Sequence, residues 1–143
     1  MDKIKVILLV SVVMLFQACS TKRLSESQIV EKSIIDCKAR DVSIIQIPSR
    51  GFVADSLSIM SIKTAGNDGG FYNDFSKFIK NGFKNIAIYC PNTKKTEAIL
   101  SNTLSLYKNN ELNNISICVI GMENSENLSN EANRTGSNIK FVP

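Results

Sequence analysis

The sequence predicts an α/β (or α+β) domain, a small mixed sheet that holds a βαβ unit and carries helices packed on it. Three observations predict it. Ile86–Cys90 and Ile115–Ile120 are nearly all apolar, the character of strands covered on both faces. Between them Ile99, Leu100, Thr103, Leu104 and Tyr107 recur at helical spacing, and the connection is long enough for a parallel crossover. Around this unit, segments of helical and strand period follow one another without an internal repeat.

Residues 20–28 are polar and suit a short tether. Ser25 and Gln28 have the spacing of a capping box. Ile29, Val30, Ser33, Ile34 and Cys37 then share one face of a helix over 26–39. Val42–Ile47 reads as a strand, stopped by Pro48 and Gly51. Leu57–Lys63 alternates as a second strand does, and the turn between the two predicts an antiparallel hairpin. Ala65–Gly70 is a loop.

Phe71, Phe75, Phe78 and Ile79 form the apolar face of a helix that Gly82 ends. Pro91 closes the strand at 86–90, and Asn92 or Thr93 caps the next helix. That helix ends at Asn109 and Asn110. The polar stretch 124–136 carries a weak helix around 126–134, and Asn138–Val142 makes a last strand. The expected core is Ile44, Ile47, Phe75, Phe78, Ile79, Ile86, Ile88, Leu100, Leu104, Ile115, Ile117 and Val119.

Composition excludes several kinds of chemistry. The 17 basic and 13 acidic residues alternate and form no stripe, which argues against a nucleic-acid partner. With no histidine, the chain holds no Ser–His or Cys–His pair and lacks the commonest zinc ligand. Tryptophan is also absent. No cofactor, metal site or catalytic set is expected, and the chain does not read as an enzyme.

The first residues have a different character. Asp2, Lys3 and Lys5 flank the start of an apolar run, Ile4–Leu15, which passes into Phe16, Gln17, Ala18 and Cys19. A charged start, about 7–15 apolar residues and a small residue before a cut describe an export signal. The run falls short of the roughly 20 apolar residues of a membrane span. Leu15-Phe16-Gln17-Ala18-Cys19 resembles the lipobox of bacterial lipoproteins. That resemblance implies cleavage before Cys19 and acylation of Cys19 with palmitate-type chains. Residues 1–18 would then be a signal peptide, 19–28 a lipidated tether and 29–143 a single small periplasmic domain. The mature chain would keep a net charge of +3. Ser20 resembles the residue that follows the cysteine in lipoproteins sorted to the outer membrane, rather than retained at the inner one.

Three further cysteines remain, Cys37, Cys90 and Cys118. An exported domain meets an oxidising compartment, so one disulfide and one leftover thiol are expected. All three pairings are open. Cys90 with Cys118 is preferred, because both lie in segments expected to be neighbouring strands. The alternative is that all three are small buried apolar residues.

Cys90-Pro91-Asn92-Thr93 sits where a strand passes into a helix, and backbone N–H groups there favour a thiolate. The sequence is similar to the Cys-Pro-x-Ser/Thr variant of thioredoxin-like redox sites, which implies Cys90 as a nucleophile. Those sites also keep a cis-proline facing the cysteine, whereas this chain has only Pro48 and Pro143 besides Pro91. The plainer reading is that Pro91 ends a strand and Asn92 caps a helix. Gly66–Gly70 before a helix could likewise cradle an anion or be an ordinary surface loop.

From Phe71 to Phe141 the order of helix, strand, helix, strand, polar helix and strand resembles the OmpA-like domains that hold peptidoglycan. Glu131-Ala132-Asn133-Arg134 with Asn138-Ile139-Lys140-Phe141 resembles that family's closing motif. The resemblance implies that Arg134 binds the peptide stem. The aspartate which that family carries after the first of these strands has no counterpart in Pro91–Lys94. The expected function is a lipid-anchored, non-catalytic subunit that binds another envelope protein, in a secretion, pilus or conjugation assembly. Its exposed contact candidates are Phe52, Tyr72 and loop 64–70. Peptidoglycan binding and thiol redox chemistry are the alternatives.

Overall fold

A computed structural model describes residues 23–38 and 41–143. Cys19, its lipobox and the apolar run before it therefore lie outside the described residues. The described elements are α1 (Glu26–Ile35), β1 (Val42–Gln46), α2 (Phe52–Ala65), α3 (Phe71–Lys80) and β2 (Asn85–Tyr89). After them come α4 (Thr93–Ser105), β3 (Ser116–Ile120), α5 (Glu126–Thr135) and β4 (Asn138–Val142).

The strands lie side by side in chain order, β1-β2-β3-β4, and every pairing is parallel. Parallel neighbours need crossovers, and each crossover here contains helix. Alternation along the strands sorts side chains to two faces. Ile45, Ile47, Ile86, Ile88, Ile117 and Val119 face one way, against Ile62 of α2, Phe75 of α3, Leu100 and Leu104 of α4 and Leu128 of α5. Ala87, Tyr89, Cys118, Ile120 and Val142 face the other way, against Ile29 of α1. The sheet is thus covered on both sides, which explains why its central strands are apolar throughout.

The expected α/β fold with its βαβ unit at 86–120 is the fold observed, but the sheet expected to be mixed is parallel throughout, because no antiparallel strand forms from residues 57–63. The expected capping box is present as well, with Gln28 N–H on Ser25 Oγ (3.3 Å) and Ser25 N–H on Gln28 Oε1 (2.9 Å). Most expected core positions are buried on the multi-helix face, while Ile44 packs on the α1 face.

Two expectations are overturned. Residues 57–63 form no strand and no antiparallel hairpin; they belong to the 14-residue helix α2. Asp55, Ile59 and Ile62 share its inward face at helical spacing. The alternation of Leu57, Ile59 and Ser61 is incidental to that period. Gly66 ends the helix in the left-handed conformation (φ 65°), the usual role of glycine at that position.

The disulfide also differs. Cys37 pairs with Cys118 (Cα–Cα 5.8 Å), and Cys90 is a free, buried thiol. β2 and β3 are indeed neighbours, but Cys90 and Cys118 project from opposite faces of the sheet. Cys118 points at the α1 side, where Cys37 follows the end of that helix.

Candidate functional site

In open parallel sheets, ligands collect beyond the carboxyl ends of the strands. Here that edge holds a buried polar cluster built from two loops. Pro48, Ser49 and Arg50 follow β1; Cys90, Pro91 and Asn92 follow β2; Asp55 and Lys95 reach in from the first turns of α2 and α4. Asp55 is 1% exposed and Lys95 7%, and their charged groups stand 3.0 Å apart.

Asp55 is surrounded by donors. Ser49 Oγ donates to Oδ2 at 2.5 Å and Asn92 Nδ2 at 3.2 Å. The Arg50 N–H donates to Oδ1 at 3.2 Å and Lys95 Nζ at 3.0 Å. Burial alone pushes the Asp55 carboxyl up, but the donors from Ser49, Arg50, Lys95 and Asn92 outweigh it and hold the group at about 2. Lys95 Nζ also donates to the Pro48 carbonyl at 2.6 Å. Asn92 caps α4 by accepting the Lys95 N–H at 3.1 Å. The cluster therefore ties the β1–α2 loop to the β2–α4 loop.

Chemically this is a latch rather than an acid–base pair. The Asp55 carboxylate has its oxygens occupied and is too weak a base to take a proton near neutrality. Beside it, burial pushes the Cys90 thiol up, against the opposing effects of the Asn92 N–H, the Thr96 hydroxyl and Lys95. A nucleophilic cysteine needs the reverse shift and some exposure, and Cys90 is 1% exposed. The strand order also never reverses, so no switch-point crevice opens between oppositely directed connections.

The remaining sequence candidates fall in separate places. Arg134 makes five hydrogen bonds within the fold. It reaches the Leu104 and Tyr107 carbonyls at 2.7 and 2.8 Å, Glu131 Oε2 through two nitrogens, and Asn109 Oδ1. These contacts tie α5 to carbonyls at and just after the end of α4 and leave the guanidinium occupied. Tyr72 is half-buried with its ring against Tyr107 (5.6 Å), so it is a core edge. In loop 64–70 the anion at the start of α3 is the chain's own. Asp68 accepts the Gly70 and Tyr72 N–H groups, each at 3.0 Å. Phe52, in contrast, is 84% exposed.

Asp55, Ser49 and Lys95 had no place among the sequence candidates. Their signal was present: Asp55 lies four residues before Ile59, and Lys95 four before Ile99, so each charge shares a helix face with core residues. Among the described residues, no three His, Cys, Asp or Glu side chains are grouped to hold a metal ion. Compared with protein-family models, curated proteins and solved structures, the chain gives no significant match to any.

Proposed function

We propose that this chain is a bacterial lipoprotein, acylated on Cys19 and facing the periplasm from the outer membrane. Its small α/β domain serves as a non-catalytic, protein-binding accessory subunit of an envelope assembly. The observation that carries the reading is Leu15-Phe16-Gln17-Ala18-Cys19, placed after an apolar run and seven residues before α1 begins at Glu26. The Cys37–Cys118 disulfide supports it independently, because such bonds persist in oxidising compartments outside the cytoplasm. None of the described helices is long and apolar enough to cross a membrane, and in this reading acyl chains on Cys19 supply the attachment.

A binding role is favoured by the character of the buried cluster. Its polar groups satisfy one another and rigidify two loops, which suits a scaffold better than a reaction centre. The peptidoglycan and thiol alternatives gain no such support, given the occupied Arg134 guanidinium and the buried, upward-shifted Cys90 thiol. Crosslinking in intact envelopes, followed by purification of the acylated protein, is expected to trap a discrete envelope protein. Recovery of wall fragments alone would instead favour peptidoglycan binding.

A further inference from the structure

Helix α2 is apolar on both sides. Its inner face packs on the core through Ile59 and Ile62. Its outer face carries Phe52, Val53, Leu57 and Met60, all exposed, from 84% at Phe52 to 58% at Met60. Val53, Leu57 and Met60 fall on one stripe at i, i+4 and i+7, with Phe52 at its head. A helix apolar all round is normally covered on all sides.

The start of the described chain lies at the same edge of the sheet as the head of this stripe. Arg23 donates to the Ser49 carbonyl at 3.3 Å, and the Leu24 N–H donates to the Tyr89 hydroxyl at 2.7 Å. The chain is thereby held at the carboxyl edge of the sheet. Ser49 is only three residues from Phe52, so the head of the stripe lies within ~11 Å of that contact along the backbone. Four residue steps separate Cys19 from Arg23, a reach of at most ~14 Å even when fully extended. Acyl chains on Cys19 would therefore hold this corner of the domain at the bilayer surface. Arg23 and Arg50 are exposed there, with Lys22 preceding them in the chain; Glu26 lies beside Arg23 and is also exposed, and Asp55 is buried and paired. Basic side chains beside an aromatic ring suit an anionic headgroup layer.

We propose that the outer face of α2, headed by Phe52 and Val53, is a second membrane contact that seats the domain on the bilayer in one orientation. The proposal rests on the lipoprotein reading. A second copy fits less well, since four side chains present on the order of 500 Å² against the ~800 Å² per partner of a standard interface.

The chain contains no tryptophan, so Phe52→Trp and Leu106→Trp each create a single reporter. Leu106 is also exposed but lies at the far end of α4, about 20 Å from the carboxyl edge. The acylated variants, beginning at Cys19, are reconstituted into vesicles of phosphatidylethanolamine and phosphatidylglycerol bearing brominated acyl chains. The Phe52→Trp emission is expected to shift blue and lose roughly half its intensity, as for a ring at the headgroup–acyl boundary, with Leu106→Trp unchanged. Absence of quenching in a protein that carries acyl mass and floats with the vesicles would overturn the seating and leave the anchor intact. A blue shift without quenching, in a protein that sediments as a dimer, would assign the stripe to a second copy and also overturn it. A protein with no acyl mass that stays off the vesicles would remove the anchor, and the seating with it.

Discussion

At the residue scale, Asp55 shows how a buried charge is held. Four donors converge on a carboxylate that is almost wholly removed from water. Removing the carboxylate leaves the Lys95 ammonium buried without its counter-charge, so Asp55→Ala is expected to cost about 3–5 kcal/mol in urea unfolding. The pH dependence has a definite sign. Asp55 titrates at about 2 in the folded chain, below the unfolded carboxylate value of about 3.9. Its contribution is therefore fully present above the unfolded value and is lost as pH falls through the folded one. The acid limb between about pH 5 and pH 2 should carry about 2 kcal/mol from this group, and Asp55→Asn should flatten that limb. An Asp55→Asn protein with the wild-type acid profile would show that the group is not held as described.

At the scale of elements, the disulfide explains how a lone helix stays on its side of the sheet. Among the described residues, the four other helices share one face and α1 is the helix on the other, and Cys37–Cys118 ties the segment after it to β3. The closed loop has a sequence separation of 81 residues, and losing such a bond is expected to cost about 2–5 kcal/mol. Dithiothreitol, or the double change Cys37→Ala with Cys118→Ala, should lower the urea midpoint accordingly. Unaltered stability after reduction, with both thiols shown free by mass, would contradict this role.

The elements most legible in the sequence were those whose periods were unmixed. β2, β3 and β4 sit within a residue of where spacing placed them, and α4 starts at its expected Asn92 cap but ends at Ser105, short of the expected Asn109–Asn110. The helix α2 was misread because its outer face is as apolar as its inner one. Leu57 and Met60 blur the helical period, and Leu57, Ile59 and Ser61 mimic a strand. The cysteine pairing failed for a related reason. Strand adjacency is readable from sequence, but the face on which a residue at a strand's end emerges depends on the register. The polar latch is hidden in the sequence because Asp55 and Ser49 fall between two stretches that read as strands, and only the fold brings them to Lys95.

At the scale of the whole molecule, these features share one direction. The carboxyl edge of the sheet gathers the latch, the first described residues of the chain and the head of the exposed α2 stripe. An anchor a few residues upstream would hold that edge near the bilayer and turn the opposite edge, with Phe83 and Leu106, toward the periplasm and its partners. The proposed arrangement depends on a thioether at Cys19. Intact-mass spectrometry of the protein extracted from membranes tests it most directly. The expected mass is that of a polypeptide beginning at Cys19, heavier by its acyl chains and lighter by the two hydrogens of the Cys37–Cys118 bond. A product that retains Met1 and carries no fatty acid would contradict it.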